Sequence, residues 1–166
     1  ERGFAGDYRL DAPVASVAGV RLENARLVGR YALHDVAEAR GTLTGRVRPQ
    51  GSTMAAAQRS LAVLAGTPLQ PLGNALSTAI GRQRSGVALA VEGSVRRDAG
   101  FGWAVESVKL QGADGLRANF TMPPRPVGIV PNTAPRQVAV SLSGGGLPAL
   151  QGRFVEVNAA TWRGLM

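Results

Sequence analysis

A five-residue pattern, Leu-x-Gly-Arg followed by a large apolar residue, occurs three times in this chain, at residues 27–31, 43–47 and 150–154. Leu, Gly and the final apolar residue alternate with the variable residue and Arg, which places apolar and polar side chains on opposite faces of a β-strand. Glycine within a strand marks a bend, a bulge or the close approach of another group. The pattern predicts either a curved sheet whose concave face is free of bulky side chains, or an ordinary antiparallel sheet with glycine bulges.

The first 51 residues are predicted to form a β-meander. Alternation of apolar and polar residues predicts an edge strand over 1–12 that ends near Pro13, and further strands over 14–22, 26–33 and 41–48. A turn is predicted at residues 23–25, because asparagine at position 24 is common in turns. The polar residues 34–40 are predicted to form a loop or to continue a strand.

Residues 52–82 are predicted to form a helical hairpin, because apolar residues there recur every three or four positions. Ser52 and Thr53 are suitable N-caps, Gly66 ends the first helix and Pro68 begins the second. The second apolar stripe contains Leu69, Leu72, Leu76, Ala79 and Ile80. We expect this hairpin to pack on the sheet rather than lie in a membrane interface, since its apolar faces lack Trp and Phe.

Residues 83–166 are predicted to return to β-strands. They contain a hairpin turn at 96–100, a phase slip at Glu106 and Ser107 that indicates a β-bulge or tight turn, a proline-rich connection over 123–135, and a last hairpin around 144–148. The predicted fold is mainly β: a curved antiparallel sheet, an open trough or half-barrel, with an inserted helical hairpin. Because the chain begins with Glu1 and ends without a tail, we expect it to be a single segment of a longer protein.

Composition bounds the function only loosely. The chain of 166 residues is 45% hydrophobic, which is enough to form a core, and its net charge of +8 favours anionic partners such as phospholipid headgroups or nucleic acid. The arginines are scattered along the strands, a pattern more typical of a solvated sheet face than of a nucleic-acid site. There is no cysteine, and no apolar run has the length of a transmembrane helix.

No catalytic or metal-binding pattern is present in the sequence. The single histidine, His34, lies beside Asp35 in a predicted loop without a nucleophile motif nearby. The carboxylates lack the spacing of metal ligands, and the glycines at 144–146 lack the Lys-Ser/Thr of a phosphate-binding loop. We therefore predict that the chain is not an enzyme and uses no metal or cofactor.

Four stretches carry a resemblance to a known family: GFAGDY at residues 3–8, ASVAGVRLENARL at 15–27, GTPL at 66–69 and GGGLP at 144–148. They resemble the YdbH branch of the AsmA-like, bridge-like lipid transfer proteins of the bacterial envelope. The resemblance implies a twisted sheet curled into a trough with a hydrophobic interior, and phospholipid transport between the inner and outer membranes. It also implies a periplasmic location, a parent chain tethered to the inner membrane, and contacts with phospholipid acyl chains and other envelope proteins, without nucleic acid.

Two sets of residues are predicted to line the lipid groove, because the members of each set share one phase in neighbouring strands. The first set is Leu27, Tyr31, Leu33, Leu43 and Val47, and the second is Val87, Leu89, Val91 and Val95. A sealed core explains the same alternation, and the segment can be trough wall, end cap or side domain. The alternative functions are a purely structural or interaction module of the envelope and an anion- or nucleic-acid-binding β domain.

Overall fold

The computed structural model shows an open, curved antiparallel sheet of nine strands, arranged in sequence order. The strands are β1 (Phe4–Val17), β2 (Val20–Leu33), β3 (Ala37–Val47), β4 (Val87–Arg96), β5 (Trp103–Gln111), β6 (Arg117–Thr121), β7 (Gln137–Gly144), β8 (Leu147–Asn158) and β9 (Thr161–Leu165). Helix α1 (Gln70–Gly81) is inserted between β3 and β4, and residues 53–55 and 58 are also helical. The mainly β fold with a helical insertion is therefore confirmed.

The structure describes residues 3–17, 19–33, 37–51, 53–55, 58, 70–96, 103–122, 137–158 and 161–165. Four predictions lie outside these residues: the loop with His34 and Asp35, the break between the two helices at Gly66 and Pro68, most of the turn at 96–100, and the proline-rich connection over 123–135. Strand β9 was not predicted, because residues 161–165 carry only a short alternation.

The predicted turn at residues 23–25 is wrong. Strand β2 continues through these residues, and its register with β3 shifts between Glu23 and Arg26, where Asn24 has a φ of 51°. Asn24 is thus part of a β-bulge, which asparagine tolerates because its side chain permits the left-handed conformation. The bulge changes the phase of β2, so that Leu22 and Ala25 both lie in the core.

The predicted end of the first strand near Pro13 is also wrong, because β1 continues to Val17. Strand β1 pairs with β2 alone, so it is an edge strand as predicted. An edge strand tolerates proline where the missing N–H would face away from its only partner. The bulge predicted near Glu106 is confirmed: Glu92 pairs with Ser107 but Gly93 pairs with Val105, which leaves Glu106 without an opposite residue.

Two clusters of buried side chains form the core. The larger one joins Leu76 and Ala79 of α1 to buried residues of the last strands, namely Leu116, Ala118, Val140, Leu142 and Leu147. This packing places α1 on the sheet. The smaller cluster contains Leu22, Ala25 and Val47. Beside it the Thr53 hydroxyl accepts a hydrogen bond from the Arg21 backbone N–H (3.3 Å), which fixes the first helical residues to the start of β2.

The two ends of the sheet differ. At one end β1 meets β2, β3 meets β4, β5 meets β6 and β7 meets β8, at the residues 17/20, 47/87, 111/117 and 144/147. We call it the closed end, because Leu22, Val87 and Leu116 are each only 1% exposed there. At the opposite end, which we call the open end, Phe4 is 70% exposed and Leu33 is 48% exposed.

Candidate functional site

The nine predicted groove residues lie on one face of the sheet. Residues directly opposite each other in an antiparallel pair share a face, and the register joins the two predicted sets directly: Leu27 opposes Leu43, Leu43 opposes Val91, and Val47 opposes Val87. Tyr31 and Val95 both oppose Ala39, Leu33 opposes Ala37, and Leu89 opposes Gly45. We call this surface the apolar face.

The apolar face extends beyond the predicted residues on both sides. Strand β1 adds Phe4, Tyr8 and Leu10, which oppose Leu33, Gly29 and Leu27 of β2. Strand β5 adds Val108 and Leu110, which oppose Val91 and Leu89. The alternation of residues 4, 6, 8 and 10 predicts a strand with these residues on one side. Only the pairing of β1 with β2 shows that they continue the apolar face.

Across β2–β4, solvent exposure along the apolar face rises from the closed end to the open end, whereas the edge strand β1 is exposed even at the closed end, where Val17 is 45% exposed. Val87 and Val47 are buried, Leu43, Leu89 and Val91 are half-buried, and Tyr31 and Leu33 are exposed. Helix α1 packs over β5–β8, where Leu110, Phe120, Val138 and Phe154 surround its buried residues. The apolar surface that remains accessible therefore lies mainly along the edge strand β1 and at the open end of β2.

Two tyrosines fill the space above three glycines of the apolar face. The Tyr8 ring lies against Gly29 and Gly41, and its hydroxyl donates a hydrogen bond to the Arg40 carbonyl (3.1 Å). The Tyr31 side chain lies against Gly6, with its hydroxyl 2.8 Å and its ring 3.0 Å from the position that a Cβ would take. Of these three glycines only Gly29 belongs to the repeated pattern, and there the interpretation that glycine keeps the face free of bulk is wrong. The three glycines permit the aromatic rings to lie flat on the sheet, which recovers packing that glycine alone lacks.

The opposite face of β1–β3 is polar and ion-paired. Arg30 binds Asp7 (2.8 Å), Arg26 and Arg9 both bind Asp11 (2.6 Å each), and Arg48 binds Glu23 (3.0 Å). Arg26, followed by Arg9, lowers the pKa of Asp11 below its usual 3.8. Shallow depressions of about 530 and 490 Å³ beside Asp7 and Arg30 are lined by the same charged side chains. This face is suited to water.

Two features are absent from the described part of the chain: clusters of metal-ligating side chains and membrane-spanning helices. Its side chains contain no group of three or more residues that could hold a metal ion. Among its helices, none is long and apolar enough to cross a membrane. His34 and Asp35, the one pair that the sequence analysis weighed for catalysis, lie outside the described residues.

The fold and its apolar face define the class to which this chain belongs: an open antiparallel meander with one ion-paired face and one apolar face that a helix covers in part. Comparisons with protein-family models, with curated proteins and with solved structures give no match to the chain. Its function is therefore argued from the apolar face.

Proposed function

We propose that this chain is a segment of a periplasmic protein that carries phospholipid between the inner and outer membranes, and that its apolar face holds the acyl chains. The nine predicted residues, Leu27, Tyr31, Leu33, Leu43, Val47, Val87, Leu89, Val91 and Val95, form the floor of the groove. In this proposal the parent protein is tethered to the inner membrane, consistent with the resemblance to the AsmA-like proteins.

One observation carries the proposal: the apolar face is continuous across β1–β5, yet its open end remains exposed. Leu10 is 64% exposed although it opposes the half-buried Leu27. A monomeric domain rarely leaves a contiguous apolar patch in water unless the patch binds something. Burial of an acyl chain gains about 0.8 kcal/mol per methylene, so a few methylenes are enough to favour occupancy.

The polar face supports the same arrangement. A lipid bound on an open sheet keeps its headgroup in water while its chains lie on the apolar side, and charged residues on the apolar side oppose this because unpaired charges are costly to bury. The described arginines of β1–β3 lie on the other face or beyond the strand ends, and most of them are paired with carboxylates.

The closed end favours a second function, a structural module of the envelope. Val47 and Val87 are already buried within the protein, and Tyr8 and Tyr31 occupy space that an acyl chain would need. In this alternative the apolar face is a core that is incomplete at one end. The two functions differ in what they predict for exposed positions of the face.

The test places a charge on each face of β1–β2. Leu10→Asp and Leu33→Asp alter exposed positions of the apolar face, at the edge strand and at the open end. Val28→Asp is the matched control, because Val28 is 37% exposed and lies on the polar face between Arg9 and Thr42. The protein is incubated with phospholipid vesicles and repurified, bound phospholipid is quantified by mass spectrometry, and thermal melting is recorded for each variant.

We expect the two apolar-face variants to lose bound phospholipid while they keep the melting temperature of the wild type, and Val28→Asp to keep both. Leu43→Asp and Leu89→Asp, at half-buried positions, are expected to lose lipid with some loss of stability. Absence of bound phospholipid in the wild type, or equal lipid in all variants, contradicts the conduit and favours the structural module.

A further inference from the structure

The excess positive charge of the described residues is concentrated at the closed end of the sheet. Among side chains that the structure describes, this end has six arginines, Arg21, Arg46, Arg48, Arg82, Arg84 and Arg117, against two carboxylates, Glu23 and Asp114. The remainder of the described chain has six basic residues, Arg9, Arg26, Arg30, Arg40, Lys109 and Arg153, against five acidic ones, Asp7, Asp11, Glu38, Glu92 and Glu106. Among the described side chains, the closed end therefore has a larger excess of positive charge than the rest of the sheet.

Three of these arginines surround the loop between α1 and β4. The Arg46 guanidinium donates a hydrogen bond to the Ser85 carbonyl (2.7 Å), which brings it beside Arg84. The loop is tight, because the Arg84 N–H donates to the Arg82 carbonyl (3.0 Å) and the Gly86 N–H donates to the Gln83 carbonyl (2.9 Å). We call Arg46, Arg82 and Arg84 the basic patch. No carboxylate of the described residues is ion-paired with any of the three.

Backbone packing holds the basic patch in place. Gly86, with a φ of +84°, lies against the Arg46 side chain, and the Arg82 guanidinium approaches Gly146 in the turn between β7 and β8. The β7–β8 turn packs on the turn between β5 and β6, where the Gly145 N–H donates a hydrogen bond to the Asp114 carbonyl (3.0 Å). The patch is therefore held at two places: Arg46 is hydrogen-bonded to the α1–β4 loop, and Arg82 lies against the β7–β8 turn.

The basic patch lies apart from Phe4, Tyr31 and Leu33, the exposed apolar side chains at the other end of the strands. The aromatic side chains that the structure describes, Phe4, Tyr8, Tyr31, Phe120 and Phe154, belong to the apolar face or its core. Base stacking on aromatic side chains is a main contribution in single-stranded nucleic acid binding, and the basic patch has none of these aromatics. Its chemistry is instead that of guanidinium groups against phosphates on an extended surface.

We propose that the basic patch docks the closed end of the sheet on the surface of a bilayer that contains anionic phospholipid. The arginines project from one loop and one strand end, an open arrangement that suits a broad field of phosphate groups better than a single shaped ligand. The contact is electrostatic, so it strengthens with the anionic lipid content and weakens with salt. Docking of the closed end does not require the apolar face to hold lipid, so this proposal can be tested independently of the proposed function.

The experiment measures cosedimentation of the chain with vesicles of phosphatidylcholine alone and of phosphatidylcholine mixed with phosphatidylglycerol, at low and high salt. The variant Arg82→Gln/Arg84→Gln removes two charges without breaking any ion pair in the described residues. Arg26→Gln/Arg30→Gln removes the same net charge from the polar face and is the matched control. Thermal melting of each variant shows whether the fold is kept.

We expect the wild type to bind only the vesicles with phosphatidylglycerol, and Arg82→Gln/Arg84→Gln to bind them about 25-fold more weakly, at about fivefold per arginine. The control pair and Leu33→Asp are expected to bind as the wild type does. Equal losses in the patch and control variants overturn the proposal, because net charge alone then explains binding. Binding of a single-stranded oligonucleotide in preference to the anionic vesicles overturns it as well.

Discussion

At the scale of single residues, the glycines of the repeated strand pattern have a specific physical role in β2 and β3. A Cβ at Gly29 would collide with the Arg40 carbonyl of the neighbouring strand and with the Tyr8 ring. The Tyr8 side chain crosses one strand, β2, to donate its hydrogen bond to the Arg40 carbonyl of β3. Glycine is therefore required here by the close approach of a carbonyl and an aromatic ring, not by a turn.

We predict that Gly29→Ala destabilises the domain by about 1–3 kcal/mol, the usual cost of overpacking a well-packed site. The matched control is Gly81→Ala at the end of α1, where the nearest atom to the added methyl group is the Met54 Cε at 3.9 Å. Urea unfolding of both variants measures the free energies. A loss at Gly29 no larger than that at Gly81 contradicts the described packing of Tyr8.

At the scale of secondary-structure elements, one carboxylate connects the edge strand to the rest of the sheet. Asp11 of β1 accepts hydrogen bonds from Arg26 of β2 and from Arg9 of its own strand, each at 2.6 Å. These two guanidinium groups favour the ionised carboxylate and hold its pKa below the usual value. Because the folded pKa is lower than the unfolded one, the ion pair stabilises the fold above the unfolded pKa and loses this effect as pH falls through the folded pKa.

We predict that the pKa of Asp11, followed by NMR of its side-chain carboxyl, lies below 3.8 and rises toward that value in Arg26→Gln. Arg26 is removed because it is the larger cause of the shift. Arg30→Gln is the control, since Arg30 binds Asp7 and not Asp11. An Asp11 pKa that is the same in the wild type and in Arg26→Gln contradicts the ion pair.

Most of the element order was predictable because strands that are consecutive in sequence pair with each other. The alternation within a strand then indicates which residues share a face of the sheet, and the sequence order indicates which strand lies beside it. The slip at Glu106 was visible as a change of phase, and the structure confirms a bulge. At Asn24 the sequence predicts a turn, whereas the structure has a bulge. Asparagine is common in turns and in bulges, and only the pairing of β2 with β3 distinguishes the two.

The rest depends on contacts between residues that are distant in sequence. Three features require the folded sheet: the placement of Tyr8 over Gly41, the packing of α1 on the sheet, and the grouping of described arginines at the closed end. For the groove residues, sequence alternation gave the shared phase within each set. Alternation does not indicate which end of the face is buried. It therefore could not predict that Val87 is 1% exposed and Leu33 48% exposed.

At the scale of the whole molecule, burial on the apolar face falls from the closed end to the open end in β2–β4, while the edge strand β1 is partly exposed along its whole length. The two clusters of buried side chains and the helical residues near Thr53 occupy the closed end, while the long hairpin of β1 and β2 projects its apolar residues into solvent at the open end. A sealed core has no such gradient, since its hydrophobic residues are buried at every level. The gradient thus distinguishes a partly covered sheet from a closed sandwich independently of any ligand.

We predict that replacing one apolar residue by Asp destabilises the domain by an amount that depends on its position along this gradient. Leu33→Asp, at 48% exposure, costs no more than about 0.5 kcal/mol, as is usual for surface substitutions. Val87→Asp, at 1% exposure, costs several kcal/mol or prevents folding, because it buries a charge without a partner. Leu43→Asp, at a half-buried position, falls between the two.

Urea unfolding of the three variants in lipid-free protein measures these free energies, with Val28→Asp on the polar face as the control for adding a carboxylate to a strand. Leu33 and Val28 are similarly exposed, so the two variants are expected to have similar stability despite their opposite faces. A cost at Leu33 as large as that at Val87 shows that the open end is covered in solution. In that case the accessible apolar surface, and with it the site proposed for acyl chains, is lost.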